Sequence, residues 1–355
     1  DGIRDLVRSR GLGDVYKRQV IILLGGYGTR MRPHTWSRPK PLLNVAGNTV
    51  LGHILDRMSE ITTEEVIFVV GYKGDQIEAW VRDNYPHLDA HFVIQEEALG
   101  QAHAVWLCGE FLQDERDVVL AFGDGIIEAD YDELQERGEK TGADAVFMVQ
   151  PVEDPSSFGV VAVNEEGYVT DFIEKPGSNE HDLAVVGINW FRSARQLYRS
   201  VNQVMEEERQ TLGEYFMADA YELLLEQGAR IVTHKIRQWS DAGQPQNILE
   251  TNVRLLSTGY NSQDAIERSY AEDFTVLPPV YIHPDARVEA SVIGPYTTLD
   301  AGVEVRNAIV RNSIVDKGAT IKNAVLDGAL IGEEAEVAGR AKSLFIGDNS
   351  IVELD

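Results

Sequence analysis

Short apolar runs alternate with amphipathic stretches along the chain up to about residue 258. The apolar runs are strand-sized and end at glycine or polar residues, while the stretches between them have helical spacing. This alternation predicts an α/β fold with a mainly parallel sheet covered by helices on both faces. The predicted strands are 20–24, 66–70, 92–94, 118–122, 145–149 and 169–173, and the predicted helices are 51–61, 75–85, 101–112, 131–141, 196–208, 216–226 and 245–256.

The pattern changes after residue 258. Residues 259–273 are polar without a sustained apolar run, which predicts a linker between a domain at 20–258 and a second domain at 274–355. In the second domain a branched aliphatic residue is followed by a small residue four positions later and an apolar residue six positions later. Such hexapeptide repeats predict a left-handed parallel β-helix. The five copies begin at Ile282, Ile293, Val315, Ile331 and Ile346.

Residues 1–19 do not share either pattern. Read as codons, residues 9–19 match a transposase adapter used in DNA library preparation, and residues 1–5 match the adjoining flow-cell sequence. We therefore expect this segment to be a sequencing-adapter artefact, and we exclude it from the fold prediction.

The chain is strongly acidic, with 32 basic and 58 acidic residues and a formal charge of −26. Such a surface repels nucleic-acid backbones and anionic membranes, so neither is expected as a partner. No apolar run approaches the roughly 20 residues that a membrane helix needs. The single cysteine, Cys108, indicates a reducing compartment, and we expect a cytoplasmic protein. A site for an anionic ligand must then gather its cations locally.

A glycine-rich loop with basic residues follows the first predicted strand. Its sequence, GGYGTRMRP at 25–33, is followed by PKPLL at 39–43. Glycines let backbone N–H groups approach phosphate oxygens, and Arg30 and Lys40 would neutralise a triphosphate. A glycine loop alone is also a common tight turn. The loop lacks the Gly-Lys-Ser/Thr of a Walker A motif and the immediate helix of a dinucleotide fingerprint.

Two aspartates follow strand-like runs and are flanked by small residues. Asp124 lies in GDG at 123–125, and Asp241 lies in WSDAG at 239–243. Carboxylates at the carboxyl end of an open α/β sheet lie where such sheets bind ligands. Two aspartates can share one Mg²⁺ with phosphate oxygens, although each could equally be a turn residue.

Two further loops could contact substrates. In QEEALGQAHA at 95–104, Gln95 could bind a base edge and Gly100 could let the base approach, whereas His103 is expected to pack on the following helix. In EKP at 174–176, Lys175 could bind the phosphate of an acceptor and Glu174 a sugar hydroxyl. Taken alone, the first is also a loop with a helix start and the second a solvated turn.

In this order, the motifs resemble those of the sugar nucleotidyltransferase family across 20–258. GGYGTRMRP with PKPLL is similar to the family's signature loop, and FGDG, FGVV, EKP, GEYFMAD and WSDAG follow in the family's order. One departure is Gly125, where the family often has Asn or a larger residue. Within the family, the chain most resembles the long form of glucose-1-phosphate thymidylyltransferase, through LAVVG at 183–187, IGDNSIVEL at 346–354 and the terminal β-helix.

The resemblance implies a Rossmann-like nucleotidyltransferase domain and the transfer of a nucleotidyl group to a sugar 1-phosphate with release of pyrophosphate. dTTP and glucose 1-phosphate are the expected substrates, and UTP, GTP or ATP are the alternatives. It also implies Mg²⁺ bound by Asp124 and Asp241. The implied nucleotide contacts are Leu24, Gly25, Gly26, Gly28, Thr29, Gln95 and Gly100; the implied catalytic residues are Arg30, Lys40, Asp124 and Lys175; and the implied sugar-phosphate contacts are Gly159, Glu174, Lys175 and Val185.

Two other classes of protein are less consistent with the sequence. A β-helix acyltransferase would need a catalytic base deep in the repeats, but His283, near the first coil, is the only histidine of 274–355. A regulatory subunit without turnover would be expected to lose Arg30, Lys40, Asp124 or Asp241, and the chain keeps all four. Because the charged motifs all precede residue 258, we expect the β-helix to assemble a homo-oligomer.

Overall fold

A computed structural model describes residues 18–58, 63–128, 131–211, 213–236 and 238–339. Within these residues the chain forms two compact units, one made of 18–43 and 49–247 and the other of 44–48 and 248–339. The second unit therefore begins earlier than the predicted boundary at 258, and it includes a short segment from the first part of the chain. The predicted adapter segment lies outside the described residues, except for its last two positions.

The first unit is built on a nine-stranded mixed sheet. Its strands are β1 Arg18–Leu23, β4 Thr63–Val70, β5 Ala90–Ile94, β6 Val118–Phe122, β8 Ala145–Pro151, β9 Gly159–Val163, β10 Val169–Glu174, β11 Leu183–Phe191 and β12 Ile231–Lys235. Seven of them lie in the order β10-β9-β11-β6-β1-β4-β5, and β8 pairs with β11 and β12. Its centre is parallel, since β1 pairs in parallel with both β4 and β6, whereas β11 runs antiparallel to β6, β8 and β9. The predicted α/β fold is confirmed. The remaining strands before residue 248 are β2 Asn44–Val45, β3 Asn48–Thr49, β7 Gly125–Glu128 and β13 Gln238–Asp241.

Helices bury apolar side chains against this sheet. Phe147 on β8 makes edge-on ring contacts with Phe191 and Tyr221, at centroid distances of 5.5 and 4.6 Å. Local signals set the helix ends: Ser193 accepts a hydrogen bond from the N–H of Gln196, and Gly142 ends a helix with a left-handed φ of 66°. The helices are α1 Val50–Met58, α2 Gly74–Asn84, α3 Gln101–Leu107, α4 Asp132–Thr141, α5 Ala194–Glu206, α6 Met217–Glu226 and α7 Pro245–Ser257.

Strand β1 begins at Arg18, two residues before the predicted start. The Gln19 side chain is fully buried and donates hydrogen bonds to Glu65 Oε2 at 2.6 Å and to the Phe111 carbonyl at 2.8 Å. Since a buried amide must be hydrogen-bonded, Gln19 is part of the packed strand, whatever its origin.

The second unit contains three four-stranded parallel sheets, each strand pairing with one 16 or 17 positions further on. This is the predicted left-handed β-helix, and its centre is filled by the aliphatic residues of the repeat, such as Ile282, Ile293 and Val315. The fifth copy, at 346–350, lies outside the described residues. The strands are β14 Thr275–Val276, β15 Val280–Ile282, β16 Arg287–Glu289, β17 Val292–Ile293, β18 Thr297–Leu299, β19 Glu304–Arg306, β20 Ile309–Arg311, β21 Ile314–Val315, β22 Thr320–Lys322, β23 Val325–Asp327, β24 Leu330–Ile331 and β25 Glu336–Ala338.

The predicted linker at 259–273 is corrected, because it contains helix α8, Ala265–Ala271. Ala265 is buried in the β-helix core, and the Arg268 guanidinium donates to the carbonyls of Ile282 and Ala286. Only Ala265 and Ser269 of this helix are buried, and its polar composition concealed the helix from the sequence analysis. Within the same unit, Asn252 on α7 is fully buried and its Oδ1 accepts from Ala46 N–H and the Thr298 hydroxyl.

Candidate active site

The glycine loop leaves the carboxyl end of β1 with several unused backbone donors. Leu24 is buried and its N–H bonds to the Val69 carbonyl, which ends the strand pairing. The N–H groups of residues 25–28 have no hydrogen-bond acceptor among the described residues. Consecutive free N–H groups make an anion-binding concavity, so the loop can receive phosphate oxygens.

Gly28 fixes the shape of this loop. It has φ 62° and ψ 31°, a left-handed conformation that favours glycine, and its carbonyl accepts the Thr35 hydroxyl at 2.8 Å. A Cβ at Gly28 would lie 3.0 Å from Thr35 Cγ2 and 3.3 Å from Lys40 Cβ. Gly28 therefore lets the signature loop fold back onto Lys40. Thr35 was missed by the sequence analysis because a threonine in a loop carries no signal of its own.

Two of the predicted catalytic residues, Lys40 and Asp124, lie together beside the carboxyl end of β6. Lys40 Nζ is 3.8 Å from Asp124 Oδ2; the lysine side chain is 11% exposed and the aspartate 53% exposed. Arg30 is exposed in the short 3₁₀ turn after the glycines and has no carboxylate within 4.0 Å among the described residues. Thr29 is exposed in the same turn. In so acidic a chain, an unpaired guanidinium beside free N–H groups favours an anionic ligand.

One antiparallel ladder carries Asp241 and begins directly after Asp124. Asp241 on β13 pairs with Gly125 on β7, and the Ala242 N–H donates to the Asp124 carbonyl at 2.9 Å. The backbone thus places Asp124, in the turn before β7, next to the strand that carries Asp241. No cluster of three or more His, Cys, Asp or Glu side chains suited to a metal is present in the described part of the chain, so phosphate oxygens would have to complete this pair.

The ladder also accounts for the departure at position 125. A Cβ on Gly125 would collide with Nε1 of the Trp239 indole. The indole occupies the space that a larger side chain would need. Gly125 is therefore required by Trp239, its neighbour on the opposite strand.

The carboxyl ends of β1, β4 and β5 converge beside the glycine loop, where Gly25, Gly71 and Gln95 lie close together. Gln95 is 8% exposed, and its Oε1 is the atom nearest to a Cβ built on Gly25, at 2.6 Å. Between the strands, a Cβ on Gly71 would lie 2.8 Å from the Gly25 carbonyl. Gly71 therefore allows the close approach of these strand ends. It was missed by the sequence analysis because it stands outside any motif.

Gly100 lies against Tyr215 of the GEYFMAD motif at 213–219. It has φ 114°, a Cβ there would collide with the Tyr215 backbone, and the Tyr215 N–H donates to the Leu99 carbonyl at 2.9 Å. The Tyr215 carbonyl in turn accepts from Ala102 N–H at 2.9 Å. This motif therefore holds the loop that follows Gln95, through backbone contacts.

The residues predicted for the sugar phosphate gather at β9 and β10. Gly159 pairs with Glu174, and a Cβ on Gly159 would lie 2.9 Å from Glu174 Oε2. Burial raises the pKa of the Glu174 carboxyl, Lys175 opposes the shift, and Asp219 and Glu214 add to it. A carboxyl of this kind can exchange hydrogen bonds with a neutral hydroxyl.

Lys175 stands at the edge of this group. It adopts a left-handed φ of 46°, its N–H donates to the Phe158 carbonyl at 3.0 Å, and its Nζ lies 4.0 Å from Glu174 Oε1. The side chain is 43% exposed and lies over the Phe216 ring. Val185 is further along β11, where it pairs with Val149 and packs partly against the core. The role of Val185 stays a prediction.

Comparison with known proteins supports the motif assignments. Residues 19–258 match the nucleotidyl transferase family. The chain is 31% identical to the low-salt glycan biosynthesis nucleotidyltransferase Agl11 of Haloferax volcanii, over 94% of this chain and 99% of that protein. It is 32% identical to the UTP–glucose-1-phosphate uridylyltransferase AglF of the same organism, over 67% of this chain and 96% of that protein.

A third relative is the glucose-1-phosphate thymidylyltransferase of Streptomyces griseus, which is 29% identical over 94% of this chain and 98% of its own length. Two of the three relatives are aligned across both units of this chain. No described helix is both long enough and apolar enough to cross a membrane. The chain belongs to the nucleotidyl transferase family, and the predicted sugar-phosphate nucleotidyltransferase activity is confirmed.

Proposed function

We propose that the protein transfers the thymidylyl group of dTTP to glucose 1-phosphate, forming dTDP-glucose and pyrophosphate, with UTP as the alternative donor. The observation that carries the proposal is the pairing of Lys40 with Asp124 beside a loop of free backbone N–H groups. The full-length relative named for thymidylyl transfer supports dTTP, and the relative named for uridylyl transfer supports UTP. A buried amide oxygen, Gln95 Oε1, faces the loop and suits the imide N–H that thymine and uracil share.

Both substrates are anions, so their mutual repulsion must be offset before they meet. The N–H groups of 25–28 and the Arg30 guanidinium would hold the triphosphate, while Lys40 lies deeper, beside Asp124. Positive groups fixed before the reaction stabilise the charge that develops on the transferred phosphoryl group. The attacking phosphate oxygen is already ionised, so no general base is required.

The aspartate pair fits a magnesium ion. Both ligands would be hard carboxylate oxygens, the ladder that carries Asp241 begins directly after Asp124, and the Asp124 side chain is half exposed. Asp124 and Asp241 would hold Mg²⁺, which supplies positive charge to the phosphate oxygens when bound. Lys40, whose Nζ lies 3.8 Å from Asp124 Oδ2, would hold this carboxylate toward the site.

The acceptor would bind from the side of β9 and β10. Lys175 would pair with the sugar phosphate. Its Nζ lies 4.0 Å from Glu174 Oε1 and 5.0 Å from the centroid of the Phe216 ring. Glu174, with its raised pKa, would bind a sugar hydroxyl in the space that Gly159 leaves open. The bound acceptor would then present its phosphate toward Lys40 and the donor.

Pyrophosphate release measured over dTTP, UTP, GTP, ATP and CTP, each with glucose 1-phosphate and with other hexose 1-phosphates, tests the substrates. The proposal expects the highest kcat/KM with dTTP and glucose 1-phosphate, and UTP second. A preference for GTP or ATP would refute the assigned donor. A preference for another sugar would refute the assigned acceptor.

The same assay tests the metal site. Asp124→Asn and Asp241→Asn keep the shape of each residue but weaken an oxygen ligand, so turnover should fall by orders of magnitude while the melting temperature is retained. Glu165→Gln, on an exposed turn of the same unit, is the matched control and should leave turnover unchanged. Near-normal turnover of stable Asp241→Asn at low Mg²⁺ would remove Asp241 from the site.

A further inference from the structure

The orientation of the Gln95 amide is fixed by its surroundings. Its Nε2 lies 3.0 Å from the Gly100 carbonyl oxygen, and a carbonyl oxygen can only accept a hydrogen bond. The atom that faces Gly100 must therefore be the NH₂ group. Oε1 then faces Gly25 in the glycine loop, and it has no hydrogen-bond donor among the described residues.

His103 accepts a hydrogen bond from the second N–H of this NH₂ group. Its Nδ1 lies 3.2 Å from Gln95 Nε2, so the ring must be neutral, with its proton on Nε2, for Nδ1 to accept. The ring is stacked on Trp106 at a centroid distance of 6.0 Å. Burial lowers the pKa of His103, with Glu97 opposing the shift, which favours this neutral form.

With Gly100 and His103 both accepting, neither N–H of the Gln95 amide is left for a ligand. If the amide rotated by half a turn, its oxygen would face the Gly100 carbonyl, which cannot donate, and His103 could donate to it only by moving its proton to Nδ1. Two carbonyl oxygens facing each other have no proton to share, so the rotated orientation is unfavourable. The amide therefore presents only an acceptor to the nucleotide loop.

We propose that His103 is a positioning residue that, by accepting from Gln95, makes the protein select nucleotides whose base carries an imide N–H. This inference rests on the proposed function, because it assumes that the base binds beside Gln95. Thymine and uracil carry the imide N–H and satisfy Oε1. Cytosine has a bare ring nitrogen at that position, which would face the oxygen of Gln95 without a proton between them.

The test uses the full chain and measures binding of UTP and CTP by isothermal titration calorimetry. His103→Phe keeps an aromatic ring for stacking on Trp106 but lacks the acceptor. It frees one N–H of Gln95 for cytosine, so the ratio of CTP to UTP dissociation constants should fall about tenfold, the value of one hydrogen bond. His103→Gln retains an acceptor oxygen and should restore most of the ratio.

His91→Phe is the matched control, since the His91 ring also contacts an aromatic ring, that of Phe111 at a centroid distance of 5.0 Å, but lies outside the site. Its ratio should equal that of the unchanged protein. A ratio in His103→Phe within twofold of the unchanged protein would overturn the proposal. An equal loss in His103→Gln would also overturn it, by showing that the imidazole itself matters and the acceptor does not.

This readout is independent of turnover. Partial unfolding lowers the binding-competent fraction for both nucleotides equally, so it does not move the ratio. If the unchanged protein binds UTP but releases no pyrophosphate with any sugar phosphate, the proposed function fails while the role of His103 is still decided by the ratio. If it prefers CTP to UTP, the role of His103 fails even where turnover is found.

Discussion

Replacing Gly28 with alanine should strain the loop that carries the phosphate donors. The residue has φ 62°, where a side chain costs about 1–2 kcal/mol. The new Cβ would also lie 3.0 Å from Thr35 Cγ2 and 3.3 Å from Lys40 Cβ, closer than ordinary contact. For a domain of this size, we expect the melting temperature to fall by about 2–8 °C.

Gly26→Ala is the matched comparison in the same loop. Gly26 is exposed, has no left-handed φ, and a Cβ there meets nothing within 4 Å. The folded protein should therefore tolerate the change without loss of stability. If the loop approaches phosphate oxygens, however, the added methyl group occupies their space, and displacing a substrate by about 1 Å can cost on the order of 100-fold in rate.

The two variants separate fold from function when thermal unfolding and pyrophosphate release are measured on the same samples. Gly26→Ala should keep its melting temperature and lose on the order of 100-fold in kcat/KM for the nucleotide. Gly28→Ala should lose both stability and activity. Normal kinetics for Gly26→Ala would refute the close approach of the phosphates, and an unchanged melting temperature for Gly28→Ala would refute the assigned strain.

Three further expectations follow from single side chains. Because burial raises the pKa of Glu174, the folded protein binds an extra proton between the ordinary and the raised pKa, so stability falls as pH rises through that window. Glu174→Gln should then unfold at a higher temperature than the unchanged protein at pH 7–8 but not at pH 4. The KM for the sugar phosphate should rise roughly ten- to a hundredfold, because one hydrogen bond is weakened. An unchanged melting temperature at pH 8 would contradict the raised pKa of Glu174. On the outer face of the β14-β17-β20-β23 sheet, Ile309 and Val325 are register partners and are 41% and 70% exposed. If the β-helix assembles the protein, Val325→Glu should lower the mass seen by light scattering, and an unchanged mass would reject this face as the contact. Gln19→Ala should cost about 1–3 kcal/mol by leaving buried partners unsatisfied, which equal denaturation midpoints would disprove.

The fold was predictable where periodicity was long and unambiguous. The parallel strands at the centre of the first sheet and the coils of the β-helix follow from runs of Val and Ile whose spacing repeats many times. Helix α8 was not predictable in this way, because only Ala265 and Ser269 of its seven residues are buried. Its position depends on Arg268 bonding to carbonyls of the β-helix, a contact that no local pattern reveals.

The candidate site was predictable only for residues that stand in motifs. Lys40 and Asp124, 84 positions apart, were both expected in the site, Lys40 from its motif and Asp124 because ligands bind at the carboxyl ends of strands in an open α/β sheet. Gly71 and Thr35 were missed because their importance is a matter of distance, to the Gly25 carbonyl and the Gly28 carbonyl respectively. His103 was expected only to pack on its helix, and its contact with Gln95 depends on where α3 begins.

Trp239 lies between two groups of the predicted site residues. Its indole packs against Gly125 on the ladder that carries Asp241, and its ring makes an edge contact with Phe158 at 5.3 Å. The Phe158 carbonyl accepts from Lys175 N–H, so the same indole touches the strand of the proposed metal ligand and the residue that orients the proposed acceptor cation. A larger residue at 125 would displace the indole and disturb both. The absence of a side chain at Gly125 is thus a condition for this arrangement, in which one indole contacts both the ladder that carries Asp241 and the residue bonded to Lys175.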